Sequence, residues 1–351
     1  MSQPTTYGLF LNMGANLGPT AQDVTRITLE QARRAEAAGF HDLWVTEHHF
    51  IPFGINPSAL TASAFLLGRT ERVRVGTAVT LSPLCNPIEL AERSALLDQL
   101  SGGRFDLGIG RGGYLKDYEV LDIDTARWEG EPMRTATTLL ETWTATDLTR
   151  PEHTTGLSEL QPAPLTKPHP PLFMATRSPD AIRFAAEHGY PLQHYFASPI
   201  EQRNQLEDLY REAASSKSST SNGSNGSNGT GESVAHLHSL IVVVDDDEAA
   251  ARIALADALT ESFRGGDWPH VPQASGGGHR TSDGSRLERG EMAAYVAKGA
   301  IVGSIDEVRD QLAEFQAATG ATRLALFVEA IADEARTMHT IDALADAVLV
   351  S

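Results

Sequence analysis

The sequence predicts an α/β fold, most simply a single-domain (β/α)8 TIM barrel. Short apolar, β-rich runs alternate with longer stretches of helical periodicity, which is the pattern of a parallel sheet joined by crossover helices. Eight such runs occur in 351 residues, and 41% of the residues are apolar, enough for a large core. The length also fits two domains. The number of units favours a barrel over a doubly wound sheet, although counting units does not by itself separate these two folds.

Strands and helices can be placed in order along the chain. Three helices are marked by a following glycine, since glycine readily adopts the left-handed conformation of a helix C-cap. These helices are predicted over 21–38, 88–100 and 304–319, ending at Gly39, Gly102 and Gly320. The last of them opens with a capping box formed by Ser304 and Glu307. The strands are predicted over 7–13, 42–48, 73–81, 104–110, 171–176, 191–196, 238–244 and 323–329.

Two regions do not fit this repeat. Residues 215–233, "SSKSSTSNGSNGSNGTGES", contain almost no apolar side chain and cannot offset their ordering entropy, so a flexible surface linker is predicted there. Residues 264–290 are also rich in glycine, but they carry Trp268, His270 and His279. A mobile lid over the site is predicted for this second region, and a plain disordered insert is the alternative.

The charge balance and the apolar runs exclude several kinds of partner. The formal net charge is -18 and no run of Lys and Arg interrupts it, so neither nucleic acid nor an anionic membrane surface is expected to bind. No apolar stretch reaches the roughly 18 residues that span a bilayer, and no secretory signal is visible, so a cytoplasmic location is expected. The single cysteine, Cys85, suits a reducing compartment and excludes metal sites built from paired cysteines.

A titratable cluster ends the second predicted strand in "DLWVTEHHF", residues 42–50. Side chains alternate along a strand, so His48 is expected on one face, and Glu47 and His49 on the other. All three lie at the carboxyl end of the strand, where barrel enzymes build their active sites. A functional site is therefore expected, with hydrogen bonding to loop backbone as the alternative. No metal site is predicted, because the HExxH spacing is absent.

A glycine-rich stretch, "GRFDLGIGRGGYLKD", contains a formal GxGxxG at Gly108, Gly110 and Gly113. It does not predict a dinucleotide site, because no clear helix start follows it and it ends the fourth strand instead of the first. Glycines at a strand end let a flat or charged ligand approach the backbone, and Arg111 is a permanent cation for a phosphate. The alternative is that the glycines only relieve crowding and that Arg111 is a surface residue.

A second anion-binding pattern, "MATRSPD", ends the fifth strand and starts a helix with serine, proline and an acid from Ser178 on. A helix N-terminus presents free N–H groups to an anion, and Arg177 adds positive charge beside it. We expect Arg111 and this turn to hold one phosphate from adjacent strands. Alternatively, Ser178 serves only as the helix cap.

Together these stretches resemble a known family, the bacterial luciferase-like flavin monooxygenases, and are nearest to the luciferase alpha chain. The resemblance is carried by "AEAAGFHDLWVTEHHF", "GGRFDLGIGRGGYLKDYEVLDID" and "PLFMATRSPDAIRFAAEHGYP". It runs in order over residues 7–214 and 238–349. It implies a (β/α)8 barrel that binds reduced FMN supplied by a separate flavin reductase, activates O2 at the flavin and oxidises a small organic substrate.

The resemblance also assigns roles to individual residues. His48 matches the family's catalytic histidine, and Arg111 matches an arginine that contacts the flavin phosphate. Arg177 and Ser178 match the phosphate-binding turn after the fifth strand. Residues 264–290 fall where the luciferase alpha chain has its mobile lid.

Three further positions concern the ring of the flavin. Thr77 and Ala78 match a pair that the family joins by a non-proline cis peptide under the ring. Gly110 stands where luciferase has a reactive cysteine, so a roomier pocket is expected at this point. Light emission is therefore not implied.

The oligomeric state and the reaction leave alternatives open. A homodimer is expected through helices in 56–68 and 86–100, whose small side chains allow close approach, although these faces would also suit packing on the barrel. A deazaflavin-dependent hydride-transfer enzyme of the same superfamily and a non-catalytic flavin-binding protein are the alternative functions. The sequence does not identify the substrate.

Overall fold

The computed structural model describes residues 4–128, 130–145, 159–220, 234–264 and 288–349, in which strands and helices alternate. The strands are β1 (Thr6–Leu11), β2 (Asp42–Val45), β3 (Arg74–Thr77), β4 (Thr80–Leu81), β5 (Phe105–Gly110), β6 (Leu172–Ala175), β7 (Gln193–His194), β8 (Leu237–Val244), β9 (Ile301–Gly303) and β10 (Arg323–Phe327). The helices are α1 (Ala21–Ala38), α2 (Ala59–Leu67), α3 (Pro87–Ser101), α4 (Leu115–Val120), α5 (Glu131–Thr144), α6 (Pro179–His188), α7 (Ile200–Thr220), α8 (Glu248–Ser262), α9 (Arg289–Lys298), α10 (Ile305–Thr319) and α11 (Glu334–Val348).

Eight of these strands form a closed parallel barrel, which confirms the predicted fold. β1 pairs with β2, β2 with β3, β3 with β5, and β5 with β6. A bridge between Met174 and Leu192 joins β6 to β7, and β8 and β10 lead back to β1. β4 and β9 are short additions that pair with β5 and β8. Because all these pairs are parallel, the carboxyl ends of the strands meet at one end of the barrel.

All eight predicted strands are present, mostly shorter than predicted. The run 73–81 is divided into β3 and β4, because the ladder with β2 ends at Thr77 and the Ala78 amide, after which the chain turns. The sequence does not predict β9, since a strand of three residues is too short to show an alternating pattern.

The three predicted helix ends are confirmed. Gly39, Gly102 and Gly320 follow α1, α3 and α10 with φ angles of 94°, 65° and 72°, which are left-handed conformations. The capping box of Ser304 and Glu307 is also present at the start of α10. Residues 21–38 are helical over the whole predicted range, α3 is one residue longer than predicted at each end, and α10 begins one residue later than predicted.

The predicted linker begins inside a helix. α7 continues to Thr220, because each added residue extends a helix at little cost once it has started. The hydroxyls of Ser215 and Ser216 donate to the carbonyls of Arg211 and Glu212, one turn earlier. Residues 221–233 of the linker, and 265–287 of the predicted lid, lie outside the described residues.

The core has one layer inside the barrel and one between the barrel and its helices. In β8, Ile241 and Val243 pack inside, in the cluster that contains Trp44. The alternate residues Leu240 and Val242 pack in the outer cluster, against the helices. Side chains of β8 at even numbers therefore face outwards.

The amino end of the barrel is closed by buried ion pairs. Arg323 donates from Nε to Asp42 at 3.0 Å and from Nη2 to Asp106 at 2.8 Å. The guanidinium lies over the ring of Trp44, whose Nε1 donates to Asp42. Arg74 is a second partner of Asp106. Burial alone would raise the pKa of Asp42, but the charge of Arg323 and the hydrogen bonds with His41 and Trp44 together outweigh it, and the pKa is lowered.

Candidate active site

The predicted site residues follow four neighbouring strands at the carboxyl end of the barrel. His48 follows β2, Ala78 follows β3, Arg111 follows β5 and Arg177 follows β6. These strands are consecutive around the barrel, and Gly110 is paired with Ala175 at the ends of β5 and β6. The fold therefore brings these residues to one side of the barrel rim.

His48 lies in an aromatic environment. Its ring stands perpendicular to Phe53, with ring centroids 5.0 Å apart, and to Tyr114 at 6.4 Å. Its backbone N–H donates to the carbonyl of Asn56. The backbone of Gly54 approaches the ring so closely that an added Cβ would lie 2.6 Å from Cδ2. These contacts fix the imidazole at the rim.

Burial makes the neutral imidazole the stable form of His48. Burial, with a smaller contribution from the neighbouring His49, lowers the pKa of His48 to about 4. The side chain therefore carries no charge near pH 7. A neutral imidazole has one unprotonated ring nitrogen that can accept a proton.

Glu47 faces away from His48, as the alternation predicts, and organises the loops. Its carboxylate accepts N–H bonds from Ala59, the first residue of α2, at 2.8 Å and from Leu81 of β4 at 3.1 Å. His49 Nε2 lies 3.7 Å from Glu47 Oε1, and this carboxylate raises the pKa of His49. Glu47 thus has the backbone-bonding role that the sequence analysis gives as the alternative.

Asp117 of α4 is a rim residue that the sequence analysis does not single out. Its side chain is buried, and Oδ1 has no hydrogen-bond partner among the residues that the structure describes. Burial raises its pKa to about 6, with a smaller opposing effect of His49. The sequence does carry a signal for Asp117. It is an acid two residues after Leu115, in a short helix that directly follows the glycine-rich strand end.

Arg111 is held at the rim by an aromatic side chain. Its guanidinium lies over the ring of Trp128, with Cζ 4.7 Å from the ring centroid. The Tyr118 hydroxyl donates to the Arg111 carbonyl at 3.2 Å. The arginine is therefore placed by local contacts and is not a loose surface residue.

The turn after β6 presents the start of α6 to the rim. Ser178 occupies the N-cap position with an extended backbone, but its hydroxyl makes no capping hydrogen bond. Its backbone N–H donates to the hydroxyl of Thr176 at 3.1 Å. Burial lowers the pKa of Arg177 only within the range in which arginine stays charged. Ser178 therefore does not cap α6 through its side chain, and its part in an anion site stays a prediction.

Two expectations about the ring region need correction. The cis peptide joins Ala78 to Val79, one bond later than predicted, because Thr77 and the Ala78 amide still belong to the ladder with β2. Thr77 is fully buried, and its hydroxyl donates to the Gly108 carbonyl at 2.7 Å and accepts from the Gly108 N–H at 2.9 Å. Its side chain therefore stabilises the barrel wall, whereas Ala78 is partly exposed.

The expected extra room at Gly110 is also absent. A Cβ added there would lie 2.8 Å from Cγ2 of Val79 and 3.3 Å from Cβ of Ala175. The space that a larger side chain would occupy is thus filled by neighbours on β6 and on the turn after β3. Gly110 permits close contact of these segments instead of enlarging the pocket.

Comparison with known proteins identifies the family. A family model described as luciferase-like monooxygenase matches residues 5–323. The chain belongs to the luciferase-like monooxygenase family. Among the residues that the structure describes, each helix of this luciferase-like chain is too short or too polar to span a bilayer.

Two curated relatives of this luciferase-like chain cover part of it. It is 30% identical over 243 residues to the alkanal monooxygenase alpha chain of Photorhabdus luminescens, covering 66% of this chain and 61% of that one. It is 32% identical over 171 residues to the oxygenase component of the flavin-dependent trigonelline monooxygenase of Acinetobacter baylyi, covering 47% of each. The aligned parts thus span less than two thirds of these relatives' lengths.

Solved structures share the fold over almost the whole chain. Monooxygenase RslO1 from Streptomyces bottropensis superposes with a TM-score of 0.79 at 24% identity, covering 98% of this luciferase-like chain and 99% of that one. An F420-dependent secondary alcohol dehydrogenase superposes with a TM-score of 0.73 at 17% identity, covering 99% of each. At these identities the likeness supports the barrel fold and not a particular reaction.

Proposed function

We propose that this luciferase-like chain is the oxygenase component of a two-component flavin monooxygenase. It binds reduced FMN that a separate reductase supplies, and it oxidises a small organic molecule with O2. The observation that carries the proposal is the rim itself. Two arginines and an uncapped helix start lie on adjacent strands, and a neutral histidine lies on the same side of the barrel.

The phosphate of FMN fits the rim between β5 and β6. Arg111 and Arg177 follow the paired ends of these strands, and each supplies a permanent positive charge. The free N–H groups at the start of α6 add donors in the same place, and the Ser178 hydroxyl makes no competing capping bond. Charge-assisted bonds of this kind contribute about 1.5 to 3 kcal/mol each.

The flavin ring fits between the phosphate residues and His48. Ala78 and Val79 are partly exposed at the end of β3, which lies between β2 and β5 in the barrel. The small side chain at Ala78 leaves backbone accessible to a flat ring. Bound reduced FMN would supply the electrons that activate O2.

His48 has a protonation state that suits proton transfer. Its imidazole is neutral above a pKa of about 4, so one ring nitrogen is free to accept a proton at neutral pH. A base with so low a pKa is weak, but a nearby anion such as reduced flavin would raise that pKa towards the working pH. Phe53 and Tyr114 keep the ring oriented and limit the access of water.

A homodimer through α2 and α3 is part of the proposal. Four large apolar side chains on and beside these helices are exposed: Phe65 by 39%, Ile88 by 38%, Leu96 by 45% and Leu100 by 73%. Burying such side chains between two copies would stabilise a dimer by the hydrophobic effect. Glu47 bonds the first residue of α2, so this face is directly connected to the rim.

The proposal is tested by mixing the protein with photoreduced FMN and isotopically labelled O2 in the presence of a panel of small organic compounds. We expect one labelled oxygen atom in a product, and a delayed return of oxidised-flavin absorbance compared with free FMN. Turnover with reduced deazaflavin and without O2 would instead support the hydride-transfer alternative. Tight flavin binding with neither effect would support a binding protein.

A further inference from the structure

A second group of titratable side chains lies on the outside of the barrel wall. It consists of His194 of β7, His238 of β8 and Glu207 of α7, here named the wall cluster. His238 is at an even position of β8 and therefore faces the helices, where its ring meets the edge of Phe315 of α10. The three side chains are only 2%, 1% and 12% exposed.

The atoms of the wall cluster converge on one point. His194 Nε2 lies 3.0 Å and His238 Nε2 lies 3.1 Å from Glu207 Oε1, and the three ligand atoms are all within 4.8 Å of one another. The distances suit hydrogen bonds, but the angles do not. Within the described ranges, His194 Nε2 and Glu207 Oε1 have no hydrogen-bond partner. Buried polar atoms without a partner are rare and call for an explanation.

We propose that the wall cluster binds one divalent transition-metal ion of the zinc type. Ligands about 2.0 to 2.2 Å from a tetrahedral ion lie roughly 3.3 to 3.6 Å apart, so the two N···O distances of 3.0 and 3.1 Å would widen by only a few tenths of an ångström. Two imidazole nitrogens and one carboxylate oxygen suit zinc, cobalt or nickel better than calcium or magnesium, which prefer oxygen ligands. A water molecule would complete the coordination.

The groups around the wall cluster define how the ion would be held. Arg203 Nη1 lies 3.5 Å from His238 Nδ1, so this nitrogen accepts and Nε2 carries the proton before the ion binds. Ligation through Nε2 moves that proton to Nδ1, and Arg203 then gives up this long contact. Arg203 keeps its bonds to the carbonyls of Ser198, Tyr195 and Ser239.

His236 is close to the wall cluster but is engaged elsewhere. Its Nδ1 accepts the N–H of Leu192 at 3.0 Å, and its ring packs edge-on against Tyr210, with centroids 4.6 Å apart. The ion would therefore have three protein ligands. Before the ion binds, the positive charge of Arg203 and the negative charge of Glu207 cancel. The ion would add two positive charges without a further anion, which limits the affinity and favours metals that bind imidazole strongly.

The consequence of the site is structural. The ligands come from two barrel strands and from α7, the helix that leads into the predicted linker. An ion held by all three elements would fasten α7 to the barrel wall and raise the free energy of unfolding by an amount that grows with the logarithm of the ion concentration divided by its Kd. This role is independent of the flavin chemistry proposed at the rim.

The test uses full-length protein stripped of metal with a chelator and then titrated with Co²⁺ or Zn²⁺. We expect one ion per chain by native mass spectrometry, the visible absorption of tetrahedral Co²⁺, and a higher melting temperature with Zn²⁺. Glu207→Gln should weaken Zn²⁺ binding by about 100-fold or more, since loss of an outer-shell partner alone typically changes affinity about 10- to 100-fold. Glu212→Gln, an exposed change on the same helix, is the matched control and should keep the affinity.

Two results would overturn the proposal. The first is that the wild-type protein binds no ion in stoichiometric amount. The second is that Glu207→Gln binds Zn²⁺ as tightly as the wild type. The second outcome would assign the ion to others of the twelve histidines in the chain. If Glu207→Gln does not fold, the wild-type stoichiometry and the His194→Gln variant decide in the same way. In either failure the wall cluster is a buried packing group only.

Discussion

The two ends of the barrel treat charged side chains in opposite ways. At the amino end, Arg323 and Arg74 neutralise Asp42 and Asp106 in buried pairs with good hydrogen-bond geometry. At the carboxyl end, His48 is half-buried, and desolvation lowers its pKa to about 4. Arg111 and Arg177 follow the paired ends of β5 and β6 at this end.

The comparison separates stability from function. Charges that are paired inside the fold contribute to one rigid arrangement, whereas groups with shifted pKa values and incomplete pairing are typical of sites that bind or react. The paired charges at the amino end thus stabilise the closed barrel. The groups at the carboxyl end have the properties that are typical of a ligand site.

The largest expected effect on stability comes from the amino end. Arg323→Ala leaves Asp42 buried without its main partner, so the free energy of unfolding should fall by about 3 to 5 kcal/mol. Arg309→Ala removes an arginine from an exposed pair with Asp306 and should cost less than about 1 kcal/mol. Chemical denaturation of both variants measures the difference. Equal losses would contradict the assignment of Arg323 as a buried structural charge.

The neutral state of His48 predicts a pH dependence of stability. The unfolded histidine titrates near 6.5 and the folded one near 4, so the unfolded state gains its proton first as the pH falls. The stability that follows from this pKa difference is fully present above pH 6.5 and is lost as the pH falls to 4. The total change in the free energy of unfolding is roughly 3 kcal/mol. His48→Gln should therefore lose less stability than the wild type between these pH values. Parallel curves would show that His48 is not buried as a neutral group.

The phosphate assignment predicts a smaller effect on binding. Arg111→Ala should weaken reduced FMN about 10- to 100-fold, because one charge-assisted bond of about 1.5 to 3 kcal/mol is lost. Riboflavin has no phosphate and serves as the control ligand, so its affinity should change little. Anaerobic titration measures both. An equal loss for the two ligands would place Arg111 against the ring or in the fold.

The smallest effect is expected at the linker. Replacing residues 221–233 with a short Gly-Ser segment, while keeping the helical residues 215–220, should change the free energy of unfolding by less than about 0.5 kcal/mol. Turnover should also stay near the wild-type value. A loss of more than about 2 kcal/mol would mean that the segment packs on the barrel.

Much of this architecture could be predicted from local sequence patterns. The barrel and the position of His48 follow from strand alternation and from the order of the strands, both of which the chain shows directly. The wall cluster could not be predicted, because its three residues come from separate elements and meet only when α7 packs on β7 and β8. The space at Gly110 depends on Val79, whose direction is set by the turn after β3.

The most direct test of the account is the effect of His48→Ala on two separate quantities, product formation and affinity for reduced FMN. General acid–base help typically contributes about 100- to 10,000-fold, so product formation per bound flavin should fall within that range while the affinity stays near the wild-type value. Arg111→Ala should show the reverse, with weaker binding and near-normal turnover at saturating flavin. If His48→Ala keeps near-normal product formation, or if its only defect is weaker flavin binding, then His48 is a wall of the site and the proposed division of the rim is wrong.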